Sequence, residues 1–413
     1  MESPDELVSP SHQVRTVWQV VATMDLTAFL EPIQARVGIG GRDSTDPHLL
    51  VALWLYASIR GIGSAREVAR LCLECRPFMW LCGGVTVNHH LLSDFRVGYA
   101  KALDELFTRS IASLVKQGLV KVRRISQDGT RVRTSAGASS FRRKSTLNEL
   151  LAEAKQHVEQ LKAILEDPEK SAGLSMKQKA ARTRAARQRQ ERVEKAIAAL
   201  PELEKRQAKL SKKVAQKDKP EKLKEPRAST TDPEAHVMKM GNGGFNPAVN
   251  VQLAVDTESR AIVGVEVSDR GTDNGLAEPM RKQVEERTGL KVQEQLVDGG
   301  FASKEDVERA AEQGTTLFTP PKPPRNTEKR ASAYAPMPGE SDVLTAWRAR
   351  MGSEEGQAIY KERAATVETV NGDLKTHRGM GRLLVRGLDN AKCVALWAAM
   401  AYNLMHFGMA LAS

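Results

Sequence analysis

Cysteine is scarce, with 4 residues in a chain of 413. That excludes a disulfide-stapled secreted scaffold and points to a reducing compartment. Aromatic residues make up only 5%, and 30 Gly with 18 Pro are too few for a collagen-like or low-complexity chain. Long apolar runs are also rare. Residues 393–413 lack formal charge, but they hold Asn403, His406 and Gly408 and are rich in Ala. The expectation there is a buried core helix rather than a membrane span. The opening residues MESPDELVSP are acidic and polar, so no secretory signal is expected.

Positive charge is abundant: 62 Lys and Arg against 51 Asp and Glu give a net charge of +11. This surplus makes a polyanion the expected partner, with nucleic acid first. It is also local. Residues 142–227 hold 24 basic and 13 acidic side chains, which accounts for all of the +11. They contain no Trp, Tyr, Phe or Cys. Leu147, Leu151, Ala154, Val158, Leu161 and Leu165 form a heptad seam, and Asp167-Pro168 ends it. A second run holds Val193, Ile197, Leu200, Leu203, Leu210 and Val214. Together they predict an antiparallel helical hairpin with residues 218–235 as the return linker. Such an arm suits an electrostatic DNA clamp, a dimerisation arm or a solvated insertion. Packing of its seam on itself leaves the basic excess outward, which favours DNA phosphates.

The first ~115 residues read as helical. Asp46-Pro47 opens a helix carrying Leu49, Leu50, Leu53, Trp54 and Ala57 and ending at Gly61. Ser64 to Glu67 is a capping box before Val68, Leu71, Cys72 and Cys75. After Gly83-Gly84 a third helix is expected from His89 through Phe95, Leu103 and Leu106 to Leu114. Three short helices with tight turns suit a helix-turn-helix arrangement. From Val122 to Ile125 a strand is expected, ending in Ser126-Gln127-Asp128-Gly129-Thr130. Beyond the hairpin, residues 248–256 and 261–267 alternate as an antiparallel pair. A helix over about 274–287, a strand over 294–297, a helix from Ser303 to Gln313 and a strand over 315–319 follow. A basic, proline-rich loop covers 320–338, and helices begin near Asp342, Glu354 and Cys393. The order predicts a mixed sheet covered by helices and interrupted by one insertion.

Two acids in this pattern occupy matching places. Asp128 and Asp298 each end an expected strand and precede a glycine. Short polar residues at such strand ends can line a cleft. Glu368 lies on the expected helix after Glu354, and Lys375 is two turns further along the same face. Three carboxylates on separate elements suit Mg²⁺, and a lysine beside them could hold a phosphate. Asp-Gly after a strand is often only a turn, and a helical Glu is usually just solvated.

Several segments together resemble the DDE transposases of bacterial insertion sequences. They are DPHLLVALWLYASIRGIGSAREVARLC at 46–72, FMWLCGGVTVNHHLLSDFR at 78–96 and QDGTRVRTSAG at 127–137. Three more are the hairpin FNPAVNVQLAVDTESRAIVGVEVSDRGTDNG at 245–275, LVDGGFAS at 296–303 and YKERAATVETVNGDLKTHRG at 360–379. The resemblance implies an α/β, ribonuclease-H-like catalytic domain at 119–141 and 236–413. It also implies an N-terminal all-α DNA-binding domain at 1–118, with 142–235 as the basic hairpin insertion and linker. By position it implies a catalytic, metal-binding triad of Asp128, Asp298 and Glu368. Two Mg²⁺ ions, replaceable by Mn²⁺, would serve cutting of element ends and joining to target DNA. Tyr360, Arg363, Lys375, His377 and Arg378 would contact DNA near the cut. Arg60, Arg66, Arg70 and Arg96 would contact the terminal inverted repeats. A homodimer on double-stranded DNA in the bacterial cytoplasm, with no membrane, is further implied. The alternatives are a non-catalytic, transposase-derived DNA-binding protein and a nuclease without strand transfer.

Two departures stand out. Four residues separate Arg363 from Glu368 where some members have three, and Gln127 precedes Asp128 where an apolar residue is common. Other candidates read as structural. Cys72, Cys75 and Cys82 with His89 and His90 are expected to pack rather than bind zinc. Asp256, Asp269 and Asp273 lie at or after a turn, and Glu362 faces away from Glu368.

Overall fold

The computed structural model describes residues 4–31, 44–215, 225–322 and 332–412, with the side chains of 210–215 left out. The expected linker 218–235 and loop 320–338 fall partly outside these residues. The chain forms two compact units. One comprises Met1–Val132, Asn250–Leu384 and Leu388–Ser413; the other comprises Arg133–Val249 and Val385–Gly387.

The first unit begins with helices α1 (Gln13–Ala22), α2 (Thr27–Leu30), α3 (Pro47–Ile59), α4 (Ala65–Glu74), α5 (Arg76–Cys82), α6 (His89–Gly98) and α7 (Ala100–Lys116). Nearly every residue of α3 is buried, which its unbroken apolar sequence requires. Asp46 caps it by accepting from the His48 N–H at 2.9 Å. Helix α4 starts at the expected Ser64 cap. The single helix expected over 89–114 is divided at Tyr99, whose φ of −122° and ψ of 41° leave the helical region. The Tyr99 ring packs on Phe29 and Phe95 instead, with centroids 5.4 and 5.1 Å away. Cys72 and Cys82 are buried free thiols.

Strand β1 (Arg124–Arg133) follows. The second unit then holds β2 (Phe141–Arg142), α8 (Lys144–Glu166), α9 (Pro168–Ser171), α10 (Met176–Ala215), β3 (Ala228–Ser229), β4 (His236–Lys239) and the start of β5 (Phe245–Asp256). Helices α8 and α10 form the expected hairpin, and Asp167 caps α9 after the break. Leu147, Val193, Ala196, Leu200 and Ala228 fill its seam. Strands β2 and β3 pair antiparallel at its base.

The first unit resumes with β6 (Ile262–Ser268), α11 (Ala277–Thr288), β7 (Glu294–Leu296), α12 (Lys304–Glu312) and β8 (Thr316–Phe318). Helices α13 (Asp342–Gly352), α14 (Glu354–Arg363), α15 (Thr369–His377) and α16 (Leu388–Ala412) complete it. A π-helical turn, Ala364–Glu368, joins α14 to α15. The sheet order in this unit is β6-β5-β1-β7-β8. Strands β5 and β6 are antiparallel, whereas β1, β7 and β8 run parallel. The result is the expected mixed α/β sheet with helices.

Helix α16 is the apolar segment noted in the sequence. It is long and apolar enough to cross a membrane, but 67% of its most apolar window is buried inside the protein. It packs on α1, α3, α7 and β6. Trp397 Nε1 donates to the Arg96 carbonyl at 3.0 Å. The Asn403 amide both accepts from and donates to the Ile262 backbone, each at 2.9 Å. That bond satisfies a buried polar side chain and a strand edge at once.

Candidate active site

The expectation that Asp128 ends a strand is corrected. It is an interior residue of β1, which continues to Arg133. The pairing explains why it still reaches a cleft. Strands β1 and β7 pair in parallel only as far as Ser126 with Leu296. Asp128 and Asp298 each lie two residues past that last pair, so the two carboxylates share a register and a face of the sheet. The Asp298 side chain accepts from the Gly300 N–H at 2.7 Å, and its carbonyl accepts from the Thr319 hydroxyl at 3.0 Å.

Gly129 serves packing rather than a turn. A Cβ there would lie 2.1 Å from Asp273 Oδ1 and 2.2 Å from Gln252 Nε2. Asp273, buried beside it, accepts from Asn250 and Gln252, both at 2.6 Å, and pairs with Arg131 at 3.0 Å.

Gln127, the unusual residue before Asp128, is fully buried and fully used. Its Nε2 donates to Gln252 Oε1 and to the Leu276 carbonyl, each at 3.0 Å. Its Oε1 accepts from Gln295 Nε2 at 2.8 Å. Three glutamines thus bridge β5, β1 and β7 beneath the carboxylates. A buried amide is stable in such a place only when both its ends are paired.

The π-turn accounts for the other departure. On a regular α-helix, residues five apart sit roughly 140° from each other. The wider π-turn, bonded i to i+5, brings such residues back onto one side. Arg363 Nη2 accordingly donates to Glu368 Oε1 at 2.7 Å, while its Nη1 lies 3.5 Å from Asp128 Oδ1. One guanidinium therefore stands between two of the three acids. Asn371, one turn past Glu368, donates to Asp128 Oδ2 at 3.1 Å, and its own buried Oδ1 has no hydrogen-bond partner among the described residues.

The electrostatics tie these groups together. Burial pushes the Asp128 carboxyl up from 3.8 to about 6; Arg363 opposes this, and the charges of Asp298 and Asp273 add to it. Burial also raises the Tyr360 phenol, with Arg363 lowering it and Asp298 and Glu368 raising it. Partial desolvation lowers the Lys375 ammonium, Asp128 raises it and Arg131 lowers it. Asp128, Asp298, Arg363, Glu368, Tyr360 and Lys375 thus form one cluster.

Other anticipated contacts are placed differently. His377 is exposed, but Arg378 is turned inward, donating to the Ile59 carbonyl at 2.7 Å and to Asp373 at 2.9 Å. Arg96 is buried, with its guanidinium 4.6 Å over the Trp54 ring and bonded to the Gly63 carbonyl. Arg70 is exposed but paired with Glu67 and Glu74. Arg60 and Arg66 are exposed. Glu362 is held by Arg124 at 2.8 Å. Asn371, Asp273 and the glutamine bridge were not anticipated as parts of the site. Asp273 reads as a loop acid in the sequence, and the odd polarity of Gln127 and the run Asn250-x-Gln252 in an apolar strand are the signals for the rest.

Among the described residues no three His, Cys, Asp or Glu groups are arranged around a single ion position. The donor chemistry nonetheless fits a hard divalent cation at the aspartates. Two carboxylates are held side by side with a third negative charge behind them, and the buried one resists ionising. Glu368 is occupied by Arg363 in this arrangement.

The chain is thus a mixed α/β protein whose sheet presents clustered carboxylates with a lysine and an arginine beside them. Residues 215–404 match the family described as the transposase DDE domain, and residues 2–97 match the family described as transposase domain DUF772. Together these take in roughly two thirds of the chain. The chain belongs to the DDE transposases of insertion sequences. That membership makes it a DNA-cutting enzyme. No curated protein and no solved structure matches it.

Proposed function

We propose that the chain cuts the ends of an insertion element and joins them to target DNA, using Asp128, Asp298 and Glu368. The shared register of Asp128 and Asp298 carries this reading. The strand order β6-β5-β1-β7-β8 supports a ribonuclease-H-like catalytic domain over 119–141 and 236–413; helices 1–118 would read the terminal inverted repeats. Asp128 and Asp298 would hold Mg²⁺, or Mn²⁺ in its place, and Glu368 would join them once Arg363 releases it. The bound ions supply an activated water or 3′-hydroxyl and neutralise charge on the phosphate. Asn371 fixes the orientation of the Asp128 carboxylate. Lys375 and His377 hold the DNA backbone near the scissile bond, and Arg363 moves from carboxylate to phosphate as DNA enters. Tyr360 packs beside them. Synapsis of two ends calls for a homodimer on double-stranded DNA.

The test is end cleavage and strand transfer with purified protein, divalent metal and DNA carrying the element's own termini. Asp298→Ala should lose both activities while keeping its thermal melting point. Wild-type cleavage rates in that variant would overturn the site. Cut products without joined ones, from wild type, would leave a nuclease instead.

A further inference from the structure

The second unit contains a cavity of about 310 Å³ lined by Arg142, Arg189, Arg192, Arg386, Thr230 and Thr231. Four arginines from three separate pieces of chain line it: Arg142, Arg189 and Arg386 on its exposed mouth and Arg192 half-buried, with Arg192 feeling the charges of Arg386 and Arg189. Arg142 comes from β2, which is paired with β3. Arg189 and Arg192 stand one turn apart on α10, so they share a face. Arg386 comes from the short return 385–387. The frame is tied down. The Gly387 N–H donates to Asp232 at 3.2 Å, Ser135 donates to the Val385 carbonyl at 3.3 Å, and the Thr230 N–H donates to the Ser140 carbonyl at 3.1 Å.

This gathering is costly. Arg192 is pushed below its ordinary pKa by burial and then by the charges of Arg386 and Arg189. Acids stand at its edge: Glu153 reaches Arg189 at 3.7 Å, Glu191 is felt by Arg192, and Asp232 faces Arg386 from a buried position. Neither Arg142 nor Arg192 makes an ion pair among the described residues. Elsewhere on the hairpin several basic side chains pair with a neighbouring acid, as Lys162 does with Glu159 and Lys170 with Asp167, while Arg182 and Arg184 are exposed on α10 outside the pocket. Converging guanidinium forks beside two hydroxyls match the geometry of a phosphate, which accepts paired N–H bonds and an O–H bond.

We propose that this pocket is a built seat for one backbone phosphate of duplex DNA, so that the inserted unit grips DNA at a fixed point as well as through its diffuse charge. The proposal rests on the reading that the chain works on DNA. Free phosphate shares the same chemistry, and the test separates the two sources.

Binding of the full chain to a labelled duplex would be followed by fluorescence anisotropy over a salt series. The variants are R189Q with R192Q in the pocket, and R182Q with R184Q outside it as a charge-matched control. The pocket pair should weaken binding about tenfold and flatten the slope of log affinity against log salt by about one to two, while the control pair does markedly less. Arg192→Lys, which keeps the charge but loses the fork, should bind more weakly than wild type. Equal effects of the two pairs, or a lysine variant equal to wild type, would overturn the seat. Should the pocket pair melt early, Arg142→Gln on the exposed rim carries the same comparison. Pyrophosphate, added to wild type and to the pocket variant, gives the other arm. Thermal stabilisation by pyrophosphate that needs the pocket, with DNA affinity unchanged by its loss, would assign it to free phosphate and refute the DNA seat. Failure of wild type to bind duplex even at low salt would count instead against the DNA reading itself.

Discussion

Replacing Asp128 by Asn should make the protein more stable while abolishing its activity. The fold raises this carboxyl from 3.8 to about 6, chiefly by burial. At about 1.4 kcal/mol for each tenfold change in proton affinity, holding Asp128 ionised in the fold at pH 8 costs about 3 kcal/mol. The sign follows from the direction of the shift. A raised carboxyl favours the fold only while protonated, so its contribution is full below about pH 4 and gone above about pH 6. Asparagine keeps the shape and never ionises. Asp128→Asn and wild type should therefore melt together near pH 4 and separate between about pH 4 and 6. By pH 8 the variant should melt about 3–5 °C higher, taking roughly 2 cal/mol/K of unfolding entropy per residue over the whole chain or over the first unit. Thermal melts across pH, in chelator, measure this directly. Adding Mg²⁺ should narrow the gap at pH 8, because a cation favours the ionised wild-type carboxylate. A gap that is constant with pH, or absent at pH 8, would refute the electrostatic account of the site.

Two further outcomes follow from the helix and the core. Deleting Ala365 should convert the π-turn to regular α-helix and leave Arg363 and Glu368 as i,i+4 neighbours. Cleavage is expected within about threefold of wild type, whereas deleting Gly372 should turn Lys375 about 100° away and abolish it. Equal loss in the two deletions would show that the π-turn does not serve to align the pair. Gln127→Leu should destabilise the first unit by about 1–3 kcal/mol, because Gln252 Oε1 is left buried without its donor. A double-mutant cycle with Gln295→Leu, read by urea unfolding, should show coupling above about 0.5 kcal/mol; additivity would mean that the glutamines act separately.

Much of this organisation could be read from the sequence, and the failures have physical causes. Caps at Asp46, Ser64 and Ser303, the alternation over 248–267 and the heptads after Leu147 are local signals, and the elements form where those signals lie. Strand β1 was expected to stop at Asp128 because Gly129 looks like a turn residue. The glycine is instead required by Asp273 and Gln252 pressing on it from elsewhere in the chain. The break at Tyr99 comes from an aromatic cluster with Phe29, about seventy positions earlier. Arg96 looks like a surface contact on a helix, but it is buried on Trp54. In each case the deciding neighbour is remote in sequence, and periodicity does not report it.

Helix α16 sets a condition on how the enzyme comes into being. Helix α1, helix α3 and strand β6 all pack on α16, which is buried over most of its length. A nascent chain that has already made the whole carboxylate cluster still lacks the element that closes its core. Productive folding of the first unit therefore requires α16, the last of its elements, so the carboxylate cluster is held rigidly only once that helix has docked.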